Sequence, residues 1–132
     1  MGAEPWSCFT KYDSNVQRAL DKLREEEFAA GRYRYAEVNP SSIEAALEIA
    51  DADGTASILD IAQVSNTPDF CCAAPFSAGE LQAYFGTDRP TRADVEKADD
   101  YWDDIERGHA RYAVLYAGGA PSELYFAGYS FD

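Results

Sequence analysis

The chain has 132 residues, of which 46% are hydrophobic and 14% aromatic, too apolar for disorder and long enough for one buried core. Against 24 Asp and Glu it sets only 11 Lys and Arg, a formal net charge of −13. That balance argues against nucleic acid, which needs a clustered basic surface, and against docking on anionic membranes.

No run approaches the roughly 18 apolar residues of a membrane span. The opening MGAEPWSCFTKYD lacks the basic and then apolar order of a secretory leader. The three cysteines, Cys8, Cys71 and Cys72, form neither a disulfide framework nor a zinc spacing. The expectation is a reduced, cytoplasmic protein with no metal or other cofactor.

Residues 5–13 mix Trp6, Phe9 and Tyr12 with polar side chains and read as a first strand. A helix follows, capped by Asp13 or Ser14, with Val16, Ala19, Leu20, Leu23 and Ala30 on one face and Gly31 as its stop. Glu27 falls inside that apolar stripe, either at its rim or answered by Arg24 or Arg32. Ser41 or Ser42 opens a second helix, and Ser41 with Glu44 fits a capping box. The polar DADGT breaks it.

Residues 57–64, SILDIAQV, are apolar and branched enough for a buried strand. A loop over 65–76 carries Pro68, Pro75 and the cysteine pair. Ser77 caps a third helix ending at Gly86, and Thr91 starts a fourth running to about Arg107. RYAVLY and SELYFAGYSF close the chain as a hairpin around Gly118 and Gly119. The order β-α-α-β-α-α-β-β predicts a single α+β domain over 1–132, with helices on one face of a small, mainly antiparallel sheet.

The segments DGTASILDI, YFGTDRPTRADVE and YFAGYSFD resemble a family of small uncharacterised bacterial proteins, and the likeness runs from the first strand to the last residue. The resemblance implies a bacterial, single-domain protein with Asp132 as its own terminus. It implies no activity, cofactor or catalytic residue.

The fourth helix carries the strongest functional signal. Val95, Ala98, Trp102 and Ile105 form its apolar stripe, and Glu96, Asp99, Asp100, Asp103 and Glu106 lie opposite. Like charges at that spacing oppose the helix, and Lys97 and Arg107 relieve only part of this. The cluster reads as a docking face for a basic protein, as a solvated face, or as oxygen ligands for Mg²⁺ or Ca²⁺. The excess is localised: residues 91–107 hold seven acids against three bases, whereas residues 1–50 hold nine against six.

Four further readings follow from residue type. On a strand, Asp60 would interrupt an apolar run and be part-buried, a setting that perturbs carboxylates at functional sites. Only His109 could serve a Ser or Cys nucleophile, and no nucleophile elbow marks one. Arg89 and Arg92 could hold an anion near the start of the fourth helix, or pair with Asp88 and Glu96. In the hairpin, strict alternation would let Tyr112, Tyr116, Tyr125 and Tyr129 line one face for a ligand or partner, provided that helices cover Leu115, Leu124 and Phe126.

Two functions emerge. The first is a small acidic binding protein of immunity or antitoxin type that docks a basic protein partner. The second is an enzyme on a polar metabolite, with Asp60, His109, Arg92 and a hairpin tyrosine such as Tyr116 in one pocket.

Overall fold

The computed structural model describes residues 3–132. Its elements are β1 (Pro5–Lys11), α1 (Val16–Ala30), α2 (Ile43–Ala50), β2 (Gln63–Val64), β3 (Cys72–Pro75), α3 (Ala78–Phe85), α4 (Arg92–Lys97), β4 (Ala110–Ala117) and β5 (Ala120–Tyr129). The α+β class holds. The five strands form a mixed sheet in the order β1-β5-β4-β3-β2. β5 pairs antiparallel with β1 and β4, while β3 runs parallel to β4 and to β2.

The helices begin where short polar side chains satisfy the first free N–H groups. Asn15 caps α1 by accepting from the Arg18 N–H at 3.0 Å, one residue later than expected. Ser42, not Ser41, caps α2. Ser77 with Glu80 and Thr91 with Asp94 close full capping boxes on α3 and α4. Among the described residues no helix is long and apolar enough to cross a membrane.

Apolar side chains bury on both faces of the sheet, not on one. Leu20 and Leu23 of α1 and Ala46 of α2 pack with Trp6, Ile58, Leu59, Leu124 and Phe126 on the first face. On the second, Phe76, Val95, Tyr101 and Ile105 pack with Ala113, Leu115, Tyr125 and Ala127. The β4–β5 register sets Ala113 opposite Tyr125 and Tyr112 opposite Phe126. Tyr112 therefore joins Phe126 on the first face, while Leu115 joins Tyr125 on the second. The expected tyrosine face does not form, because the pairing of the two strands, invisible in either strand alone, puts their tyrosines on opposite sides.

Three other expectations change. The loop expected over 65–76 contains a strand, Cys72–Pro75, held between β2 and β4. Residues 57–64 are not one strand: a 3-10 turn spans Ile58–Asp60, and only Gln63–Val64 pairs with β3. Ile58, Leu59 and Ile61 are all buried, which an alternating strand against a one-sided core would not allow. The fourth helix ends at Lys97, and Ala98 turns extended (φ −96°, ψ 145°) before a 3-10 turn over Asp100–Asp104. Asp99, Asp100, Asp103 and Asp104 would crowd the negative C-terminal end of any longer helix, and repulsion at three- and four-residue spacing adds to this.

Candidate docking surface

The break after Lys97 decides which aromatic faces in. An unbroken helix would bury Trp102 on the stripe of Val95 and Ala98. Instead Tyr101 is buried at 2% exposure, and its hydroxyl meets that of Tyr125 at 2.6 Å. Trp102 is left half-buried, tilted against Tyr101 at 5.2 Å and edge-on to Tyr129 at 5.5 Å.

Trp102 is the shared wall of two adjoining clefts. One, of about 350 Å³, lies among Pro5, Trp6, Ser7, Trp102 and Tyr129. The other, of about 360 Å³, is lined by Ser7, Phe9, Glu96, Tyr101, Trp102 and Tyr125 among others. Glu96 thus stands on the rim of an aromatic hollow. Asp99 and Asp100 line the next hollow along, with Tyr84, Phe85 and Lys97. Glu96, Asp99, Asp100, Asp103 and Glu106 are all exposed. Lys97 reaches Asp94 at 3.8 Å, and His109 approaches Glu106 at 3.6 Å. An aromatic face edged by exposed carboxylates is suited to a cationic side chain, through ring quadrupole and opposite charge together.

The arginine pair near α4 is committed elsewhere. Arg92 forks onto Glu123 at 2.8 and 3.2 Å and lies 3.7 Å over the Phe9 ring, leaving Glu96 unpaired by it. Its partner was hidden because Glu123 is distant in sequence. Arg89 sits over the Tyr116 ring at 5.7 Å. Just past α1, Arg32 answers Glu27 at 2.6 Å, while Arg24 within the helix reaches the Leu59 carbonyl at 2.8 Å.

The enzymatic constellation does not assemble. His109 precedes β4 and Tyr116 nearly ends it, a separation of roughly 20 Å along an extended strand. Arg92 belongs to the Tyr116 end through Glu123, which pairs with Leu115. Asp60 belongs to the other end, beside Gly54, where an added Cβ would lie 2.9 Å from both Asp60 Oδ2 and the Phe131 nitrogen. The cysteines are free thiols, and burial pushes Cys8 up to about 12, far from thiolate character.

Asp60 is nonetheless the most constrained carboxylate of the described residues. It is 3% exposed, and its Oδ1 accepts from both the N–H and the hydroxyl of Thr55. Oδ2 is buried with no hydrogen-bond partner among the described residues. Burial raises its pKa, against the pull of Thr55, Arg34 and Arg24. Around it, Asp51, Gly54 and Ala56 all have positive φ, so the DADGTAS segment is a strained loop folded onto this side chain.

Neither a protein-family model, nor a curated protein, nor a solved structure matches the chain.

Proposed function

We propose that the chain is a small acidic binding protein whose Trp102 clefts dock a basic protein partner. One observation carries this reading: the helix break leaves Trp102 half-buried beside Glu96, at the edge of a run of exposed carboxylates. A lysine or arginine of the partner stacks on Trp102 while Glu96, Asp99, Asp100 and Asp103 steer its approach. The same surface disfavours nucleic acid, whose phosphates carry the same sign. A cytoplasmic setting goes with the reading, supported by the free thiols. The comparison with immunity and antitoxin proteins rests on size and charge, an analogy of class.

The test compares immobilised native chain with a D99N/D100N/D103N variant. Proteins retained by the native chain at low salt are expected to be basic and to be lost from the variant. An identical set of retained proteins on both would overturn the proposal.

A further inference from the structure

One edge of the sheet carries no further strand among the described residues: β1 ends the strand order, and none pairs with its outer side. The bonds at its two ends show which groups face outward. Ser130 donates its N–H to the Glu4 carbonyl, and Tyr12 donates to the Ser122 carbonyl, so the even-numbered residues face β5. By alternation Ser7 and Phe9 turn both N–H and C=O to the outside.

Proteins commonly blunt such an edge with proline, lysine or a bulge. Here Pro5 and Lys11 guard only the ends, and residues 6–10 carry no charge. Both flanks of the edge are concave. The Trp102 clefts lie on one side, and a hollow of about 180 Å³ that includes Cys8, Glu27 and Ser57 lies on the other. Trp6 walls a cleft on each flank, and its buried indole N–H has no acceptor among the described residues. An exposed edge with pockets for alternate side chains is the arrangement used to capture an extended peptide as an added strand.

We infer that an extended segment of the basic partner adds to β1 as a sixth strand, its main chain pairing with Ser7 and Phe9 and one arginine or lysine entering the Trp102 cleft. The inference rests on the docking function proposed above and supplies its mode. A second copy of the chain fits the edge less well, since two chains each of formal charge −13 would have to meet.

The experiment uses the full chain at low salt and a capped hexapeptide of alternating arginine and valine. At half-saturation, amide exchange at Ser7 and Phe9 is expected to slow about twofold, while Trp6 and Cys8, already paired with β5, do not change. The same peptide with N-methyl groups on alternate residues keeps its charges and is expected to bind about tenfold more weakly. Ser7→Pro, which removes one outward N–H and no backbone bond to β5, is expected to weaken the unmodified peptide similarly.

Unchanged exchange at Ser7 and Phe9, with the Trp102 indole resonance moving, overturns strand addition and leaves the docking function standing. No response at Ser7, Phe9 or Trp102 removes both. Peptide-independent dimerisation that Ser7→Pro abolishes would assign the edge to a second copy and also overturn the inference.

Discussion

Thr55 holds Asp60 by two hydrogen bonds to one oxygen: its N–H and its hydroxyl both reach Oδ1 at 2.7 Å. The pair closes the loop that ends in the 3-10 turn, and Ser57 joins it at 2.8 Å from the Thr55 hydroxyl. Asp60→Ala strands a buried backbone N–H, so a loss of about 1–3 kcal/mol is expected in chemical denaturation. Asp60→Asn keeps the acceptor and removes the charge. Because burial raises the folded pKa above 3.8, the native chain binds this proton more readily folded than unfolded. Asp60 therefore contributes most stability below 3.8 and loses it as pH rises through the raised value. The asparagine variant is expected to compare better with the native chain at pH 7 than at pH 4.

Gly54 has φ +75° and sits against Asp60 Oδ2 and the Phe131 nitrogen. Gly54→Ala meets both a disfavoured backbone conformation and a contact that cannot relax without moving the segment after β5. A loss of about 1–3 kcal/mol is expected from the backbone alone, visible as a lower denaturation midpoint with an unchanged slope.

Arg111 is the one buried arginine among the described residues. It binds Glu80 at 2.6 and 3.2 Å, donates to the Pro75 carbonyl at 3.0 Å and lies 4.8 Å over Phe76. The guanidinium and the Ser77 N–H hold Glu80 below the usual 4.5. A depressed carboxylate gives stability above its unfolded pKa and loses it as pH falls through the folded one. Glu80→Gln is expected to destabilise by about 2 kcal/mol at pH 7, less than a fully buried pair because Glu80 is one-third exposed. The deficit relative to the native chain is expected to shrink below pH 4.5, measured by denaturation across that range.

Cys8 is expected to resist thiol reagents in the folded chain. With its pKa raised to about 12 by burial and by Glu27, the thiolate fraction at pH 8 is on the order of one in ten thousand. Labelling followed by mass spectrometry is expected to reach Cys71, the half-buried member of the Cys71–Cys72 pair, well before Cys8.

Local signals carried most of the fold. Capping residues and glycine stops placed four helices, and Gly118 with Gly119 placed the hairpin turn, because each acts within a few residues. What depended on distant partners did not show. The register of β4 on β5 separated the tyrosines, and Asp60 left its expected strand because Thr55 holds it in a turn. The acidic run itself contained the missing signal for the Trp102 site. Four aspartates at residues 99, 100, 103 and 104 oppose a helix there, and the break after Lys97 buries Tyr101 and leaves Trp102 half-buried at the clefts. Trp6, Ser7 and Phe9 became part of the candidate surface only because β1 lies at the sheet edge.

The most direct measurement is an NMR titration of the full chain with a tetra-arginine peptide at low salt. The Trp102 indole resonance and the amides of Glu96, Asp99 and Asp103 are expected to shift along one binding curve. Affinity is expected to fall with added salt and to drop about tenfold in the D99N/D100N/D103N variant. Shifts centred on the acids of α1, such as Asp21, Glu25 and Glu26, with the Trp102 indole unmoved, would contradict a docking site at Trp102.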